Sequence, residues 1–252
     1  MKNNNHKLAR IFSRRDVLAL FRAGGTAILV VGCIPRKPSV AVFPSSQVKS
    51  ATSPACVVSP EQTEGPYFVD EKLDRSDIRL DPTDGSLKAG TPLHLTLRVS
   101  QVGSTGCTPL VGAIVDVWHC DALGVYSDVA DSSFNTVGQK FLRGYQASDA
   151  NGTVEFTTIY PGWYQGRTVH IHFKVRTDGT SGQRYEFTSQ LYFDDSITDR
   201  VHSQTPYASK GQRTQKNADD RIFTDGGEQM LLRLANSGQG YAATFDVGLK
   251  IT

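Results

Sequence analysis

The feature that most constrains the fold is a set of short segments in which apolar and polar residues alternate. A period of two is typical of β-strands that bury one face, because successive side chains of a strand point to opposite sides. Turn-forming stretches such as DPTDGS, GSTG, DANG and RTDGTSGQ separate these segments. The alternation is found in LHLTLRVS (93–100), AIVDVWHC (113–120), TVEFTTIY (153–160), TVHIHFKV (168–175), EFTSQLYF (186–193) and ATFDVGLKI (243–251). The sequence therefore predicts an all-β fold, a β-sandwich of mostly antiparallel strands with long loops and little helix.

The sequence has few helix signals and a small net charge. The best helix candidate is EQMLLRLANSG (228–238), and a loop with local helix is the alternative. The formal net charge is +2, and no basic run clusters in the strand-rich part, which argues against a nucleic-acid partner. Hydrophobic residues make up 38% of the chain and charged residues 21%, so a packed core is expected.

The N-terminus has the pattern of an export signal. The segment SRRDVLALFRAGGTAILVVGC (13–33) places paired arginines before a short apolar stretch, which predicts a signal of the twin-arginine type over residues 1–33. The apolar stretch is too short for a stable membrane span. VVGC resembles a bacterial lipobox ending at Cys33, and an ordinary cleaved signal is the alternative. We expect an exported protein, periplasmic, secreted or lipid-anchored, that touches a membrane only through a lipid on Cys33.

The rest of the chain divides into a tether and one domain. Residues 34–55 are rich in Pro, Ser and Ala without periodicity, which predicts a flexible tether. Residues 56–252 form the predicted domain. Its three cysteines permit one disulfide; we expect Cys56 to pair with Cys107, because both lie in turn-like segments, and Cys120 to be buried and free.

The stretch PGWYQGRTVHIHF (161–173) carries the strongest chemical signal. His170 and His172 lie two apart in a predicted strand, so both imidazoles share a face and can converge on one metal ion. The alternative is a half-exposed strand with two incidental histidines. Tyr164 precedes this strand and Tyr126 follows another. Phenolate is a hard, anionic donor that suits a hard trivalent metal, whereas no Cys or carboxylate has zinc-like spacing from the histidines.

Four motifs in the same order carry a family resemblance. They are TEGPYF (63–68), GAIVDVWHCDALGVYSD (112–128), PGWYQGRTVHIHFKV (161–175) and TSQLYF (188–193). Together they resemble the intradiol ring-cleavage dioxygenases of the protocatechuate 3,4-dioxygenase type, in the exported, single-domain subgroup. The resemblance covers essentially all of residues 56–252 and implies that this part is the catalytic domain.

The resemblance implies a metal centre and a reaction. One non-haem Fe(III) ion would be bound by Tyr126, Tyr164, His170 and His172, with Tyr164 and His172 as the axial ligands. The implied substrates are a small aromatic diol of the catechol type and O2. The ring would be cleaved between the two hydroxylated carbons to give a cis,cis-muconate, with Tyr164 leaving the metal to take up a catechol proton.

The resemblance also assigns residues around the metal. Arg167 occupies the place of an active-site arginine and Gln190 that of a glutamine near the metal. The alternatives are a solvated surface charge for Arg167 and a strand-pairing polar residue for Gln190. Gly65, Pro66 and Tyr67 are expected to form part of the pocket wall, with simple rim packing as the alternative for Tyr67.

One departure from better-known family members affects the pocket. Two residues separate Tyr164 from Arg167, where those enzymes have a longer loop, so we expect a more open pocket. His119 is expected to be a structural or surface histidine rather than a ligand. The alternatives to the dioxygenase reading are an exported binding module for aromatic or glycan ligands, without metal or catalysis, and a zinc hydrolase built on His-x-His.

Overall fold

The computed structural model describes residues 56–179 and 182–251. The predicted export signal (residues 1–33), the lipidation site at Cys33 and the predicted tether (34–55) lie outside the described residues. Among the helices that are described, none has the length and apolar character needed to cross a membrane.

The strands are the main elements of the described part. They are β1 (Pro92–Gly103), β2 (Gly106–Pro109), β3 (Ile114–Trp118), β4 (Arg143–Ala147), β5 (Thr153–Ile159), β6 (His170–Asp178), β7 (Arg184–Tyr192), β8 (Ala235–Ser237) and β9 (Gly240–Leu249). Each of the six segments with period-two alternation contains one of them, with ends displaced by a few residues. The prediction of those six strands is confirmed.

Two sheets are formed by these strands. In the first, β1 pairs in parallel with β9 on one side and antiparallel with β2 and β5 on the other, and β8 extends the sheet beyond β9. The second sheet has the order β4-β3-β6-β7 and is antiparallel throughout. The antiparallel pairings outnumber the parallel one, as the sequence predicts.

One continuous apolar core joins the two sheets. In β1 the buried positions are Leu93, Leu95, Leu97 and Val99, and in β6 they are Ile171, Phe173 and Val175. Both sets alternate with residues on the opposite face, so each strand contributes one side to the core. Burying each of these side chains stabilises the fold by about 1.5–3 kcal/mol. The predicted β-sandwich is confirmed.

Residues 228–238 do not form one helix; the alternative, a loop with local helix, is closer to the structure. This segment forms a short 3-10 helix (Gly227–Met230) and then β8, because Leu231 is extended and forms a bridge with Tyr192 at the end of β7. The α-helix found among the described residues is α1 (Asp195–His202), which has no strong signal in the sequence. It begins where the Asp194 side chain accepts hydrogen bonds from the first free backbone N–H groups.

An N-terminal arm, residues 57–74, crosses the outer face of the second sheet. Glu64 pairs with Lys174 and Asp70 with Arg176, and both cations lie on the outward-facing side of β6. The backbone N–H of Gln62 donates to Thr188 O of β7 at 2.9 Å. The arm therefore excludes water from a face that, in an antiparallel sheet, is often left solvated.

The arm begins at a disulfide. Cys56 and Cys107 are bonded, which confirms the expected pairing, and Cys120 is free and buried, also as expected. The bond closes a long loop, because the two cysteines are 51 residues apart in sequence. Loops of this length are the ones whose closure most restricts the unfolded chain.

We predict that the double substitution Cys56→Ser/Cys107→Ser lowers the free energy of unfolding by about 2–4 kcal/mol, because the unfolded chain regains the freedom that the disulfide removes. Chemical denaturation with and without a thiol reductant measures it. Reduction should destabilise the native protein and leave the double variant unchanged. Equal stability of the oxidised and reduced native protein would contradict the prediction.

His119 is a structural residue at the end of β3. It is fully buried, and its ring nitrogens contact Cys120 O at 2.8 Å and Thr158 Oγ1 at 2.7 Å. Burial lowers the pKa of the imidazole from 6.5 to about 4, against smaller raising effects of the Cys120 carbonyl and Asp121. The ring is therefore neutral at pH 7, and the expectation that His119 is structural is confirmed.

Because the pKa of His119 is lower in the folded than in the unfolded protein, its stabilising effect is full above pH about 6.5 and is lost as the pH falls towards 4. We predict that His119→Gln reduces the acid-induced loss of stability between these pH values by on the order of 3 kcal/mol. Denaturation of both proteins at several pH values measures it. If the free energy of unfolding depends on pH in the same way in the native protein and in His119→Gln, the prediction is contradicted.

Candidate metal centre

The candidate centre lies on the outer face of β6. Ile171 and Phe173 point into the core, so His170 and His172 point to the other side, where each is still only 2% exposed. The strand thus places two imidazoles on a face that the arm and the surrounding loops have closed to water. When one face of a strand packs in the core and the other lies in a covered site, all of its side chains are buried. This is the case for the first six residues of β6.

The two imidazoles meet nitrogen to nitrogen. Nε2 of His170 and Nε2 of His172 are 3.0 Å apart. Nδ1 of His170 is 2.7 Å from Thr168 O and must donate to that carbonyl, which leaves Nε2 with a free lone pair. Two donor atoms bound at about 2.1 Å to one metal, at right angles, are separated by about 3.0 Å. The spacing is that of two neighbouring ligands of one ion.

Two tyrosines complete the cluster. The Oη atom of Tyr164 is 3.1 Å from Nε2 of His170. Tyr126 is 1% exposed, its Oη has no hydrogen-bond partner among the described residues, and its ring centre is 5.7 Å from that of Tyr164. A buried hydroxyl without a partner costs about 1–3 kcal/mol unless something else satisfies it.

The loops that carry the tyrosines are pressed together backbone to backbone. The N–H of Gly162 donates to Asp121 O at 3.0 Å. A Cβ on Gly162 would overlap the Ala122 carbonyl, and one on Gly124 would overlap the Trp163 carbonyl. Gly124 also has φ +79°, in the left-handed region that favours glycine. The glycines in LGVY and PGWY therefore allow the approach that brings the two phenols together.

The protonation states of the four side chains suit a cation. Burial lowers the pKa of His170 and His172 well below the usual value, so both rings are neutral and keep a lone pair. Burial also raises the pKa of Tyr126 and Tyr164, so neither phenol ionises unless a strong positive charge lies beside it. The donor set thus fits a highly charged, hard metal ion. Among the described residues, no group of three or more His, Cys, Asp and Glu could hold a metal; this centre has two histidines and two phenols.

Arg167 is fixed beside the histidines. Its Nε donates to Asp220 at 2.9 Å and its Nη2 to Gln190 at 2.6 Å, while Nη1 lies 3.5 Å from Nε2 of His170. Burial opposes the charge, but Tyr164 and Asp220 raise the pKa of the guanidinium above its usual value. Arg167 is therefore a preorganised cation at the edge of the centre, and not a solvated surface charge.

Gln190 is used to support its neighbours. Its Oε1 accepts from Arg167, and its Nε2 donates to Thr63 O at 2.8 Å. The side chain is fully buried on β7, directly opposite His172. These contacts hold Arg167 and the arm in position.

Of the predicted wall residues, Gly65 lies against His172 and Tyr67 against Tyr126. Gly65 has φ +72°, and a Cβ there would lie 3.4 Å from Cε1 of His172. The ring of Tyr67 packs 4.6 Å from that of Tyr126, and its hydroxyl donates to Asp131. Burial, together with that hydrogen bond, raises the pKa of Tyr67 to about 12. Pro66 is exposed between the two.

Two residues at the centre have no assignment from the sequence. Trp118 stacks on His172 with ring centres 4.9 Å apart and planes 7° apart. Trp118 lies directly opposite His172 in the β3–β6 pairing. The sequence signal that could have identified it is therefore the register of these two strands. Asp220 is 1% exposed and accepts from the Thr168 N–H at 2.7 Å as well as from Arg167. It lies 53 residues after Arg167, and nothing in its local sequence marks it.

Comparisons with known proteins agree with this geometry. The family described as Dioxygenase matches residues 63–231. The chain is 31% identical to the protocatechuate 3,4-dioxygenase beta chain of Burkholderia cepacia, over 68% of this chain and 71% of that protein. It is 29% identical to a chlorocatechol 1,2-dioxygenase of Pseudomonas putida, over 61% of this chain and 60% of that one.

The solved structure of an intradiol ring-cleavage dioxygenase from Tetranychus urticae is also similar. It has a TM-score of 0.68 and 31% identity, and the alignment covers 77% of this chain and 95% of that chain. The chain spans 60%, 38% and 51% of the lengths of three curated chlorocatechol 1,2-dioxygenases, about half on average. The family match, the curated relatives and the solved structure lead to one conclusion: the chain belongs to the intradiol ring-cleavage dioxygenase family.

Proposed function

We propose that the chain binds one ferric ion and cleaves the ring of a catechol between its two hydroxylated carbons with O2, giving a cis,cis-muconate. The observation that carries this proposal is the convergence of two imidazoles and two phenols, with one phenol oxygen unpartnered, in a buried site. A binding module without metal is not favoured, because such a module gains nothing from a cluster of desolvated donors. A zinc hydrolase is not favoured, because catalytic zinc sites use three ligands from His, Cys and carboxylates, and no such group of three occurs among the described residues.

The ion would be held by Tyr126, Tyr164, His170 and His172. A ferric ion there would supply Lewis acidity towards the two catechol oxygens and make the ring reactive towards O2. The two phenolates offset most of its charge, and the hydrogen bond from His170 Nδ1 to Thr168 O keeps that ring in the tautomer that presents Nε2.

Tyr164 is the phenol better placed to accept a proton. It is partly buried, whereas Tyr126 is fully buried. Tyr164 lies in a short loop next to Gln165 and Gly166, which are exposed. We assign its Oη, which would be a phenolate with the ion bound, as the acceptor of a proton from a catechol hydroxyl on binding. Tyr126, held beneath the ring of Tyr67, would remain in place.

Arg167 stabilises negative charge that develops on the ring. Asp220 and Gln190 fix the guanidinium from one side, so no reorganisation is required when that charge appears. Trp118 and Gly65 cover His172 on two sides and exclude water there. A water-poor surrounding strengthens the electrostatic effect of the cation.

The compartment that we propose is outside the cytoplasm. The Cys56–Cys107 disulfide supports this, because such bonds persist in oxidising environments. The twin-arginine pattern and the lipobox-like Cys33 support export and a possible lipid anchor. Cell fractionation of the full chain and of a Cys33→Ser variant tests both: export with membrane retention lost in the variant is expected, and retention in the cytoplasm would contradict the proposal.

We predict that the iron-loaded protein binds one ion per chain and is red-brown, from charge transfer between tyrosinate and Fe(III). Tyr126→Phe and Tyr164→Phe should each weaken the visible band, and the double variant should lose it. Tyr185→Phe, a change at the far end of β7, is the control and should keep the band. A double variant with unchanged iron content and colour would show that other residues bind the metal.

We predict that Arg167→Ala lowers kcat for catechol by about 100-fold or more while iron content and colour are kept, because a preorganised charge is removed without loss of a ligand. Ultraviolet monitoring of muconate formation gives the rates. Arg184→Ala, at an exposed cation of β7, is the control and should retain native activity. A native rate for Arg167→Ala would remove this residue from the mechanism.

A further inference from the structure

A groove of about 920 Å³ opens beside the candidate metal centre. The end of the arm, the loop at Gly166 and residues 215–225 form its walls. Arg167 belongs to the groove and to the centre, because it lines the groove while its Nη1 lies 3.5 Å from His170. The volume is at the upper end of that of pockets for drug-sized ligands, so the groove has room for a substituent on a ring held at the centre. The expectation of an open pocket at this short loop agrees with it.

The walls of the groove have an excess of negative charge. They contain four carboxylates, of Glu61, Asp219, Asp220 and Asp225, and two guanidiniums, of Arg167 and Arg221. The formal net charge of the lining is therefore −2 at neutral pH.

The cation nearest the centre is held by its partners and directed at the centre. Arg167 donates through Nε to Asp220 and through Nη2 to Gln190, and its Nη1 lies 3.5 Å from Nε2 of His170, so few of its N–H donors are left for a ligand carboxylate in the groove. Asp220 is itself committed, because it also accepts backbone N–H groups of Thr168 and Ile222. Pairing therefore removes one charge of each sign and leaves the excess unchanged.

The remaining carboxylates face solvent. Glu61, Asp219 and Asp225 are exposed, and within the described ranges none of them forms an ion pair, in contrast to the nearby Asp199, which pairs with Arg213 and Lys216. Arg221 is the one exposed cation among the groove residues. A cleft lined by one sign of charge concentrates ligands of the opposite sign and disfavours those of the same sign.

We propose that this groove makes the protein selective for catechols with a cationic substituent, with uncharged substituents next and carboxylates last. The proposal rests on the proposed function, since it takes the diol to be held at the metal centre. It goes further by naming the substrate class, and it assigns that choice to Glu61, Asp219 and Asp225.

Three catechols that share a –CH2CH2– unit on the ring test the order. They are 4-(2-aminoethyl)catechol, 4-ethylcatechol and 3-(3,4-dihydroxyphenyl)propionate, which differ mainly in the charge at the end of the chain. We expect kcat/KM to fall in that order, by about 10-fold from cation to anion at low ionic strength, and the ratio to shrink as salt is added. Equal values, or a preference for the carboxylate, would overturn the proposal.

Charge variants of the groove give a test with opposite signs. Glu61→Gln and Asp225→Asn should each lower the cation-to-anion ratio by about two- to threefold, whereas Arg221→Gln should raise it by a similar factor. Asp84→Asn, at an exposed carboxylate in another turn, is the matched control and should leave the ratio as it is. Shifts of the same sign for Asp225→Asn and Arg221→Gln would contradict a charge effect.

The two proposals fail in different ways. If the iron-loaded protein cleaves neither unsubstituted catechol nor any of the three substituted catechols, the proposed function fails. The charge preference is then measured from calorimetric dissociation constants for the same three compounds. If catechol is cleaved but the three compounds show no order in rate or affinity, the selectivity proposal alone fails.

Discussion

The structure depends on four donor groups that meet where water does not reach. Burial keeps two imidazoles and two phenols neutral, and each would be better solvated outside the protein. In the described part of the chain the hydroxyl of Tyr126 has no hydrogen-bond partner. An ion that binds all four would offset this cost, and a hard trivalent ion would in addition ionise both phenols. The unfavourable burial and the metal chemistry are thus two aspects of one arrangement.

The sandwich makes this arrangement possible through the two faces of β6. One face supplies Ile171 and Phe173 to the core, and the other presents His170 and His172. A shift of register by one residue would exchange the faces, so the packing of the core also fixes the donors. Ion pairs of the arm with Lys174 and Arg176 then cover the outer face.

Much of this could be predicted from the sequence, because the strands and the His-x-His pair depend on local periodicity. The elements that were missed depend on distant partners. β4, with the sequence RGYQA, has no alternation and is a strand because β3 pairs with it. Residues 228–238 have a helical composition, but pairing with Tyr192 and β9 overrides it. Asp220 became visible as the partner of Arg167 only in the folded chain.

The most direct test of the metal centre is an anomalous difference map, recorded at the iron absorption edge, from crystals of the iron-loaded protein. We predict a single strong peak per chain, within bonding distance of Oη of Tyr126 and Tyr164 and of Nε2 of His170 and His172. A peak elsewhere, or a peak bound by the histidines without either phenol, would contradict it.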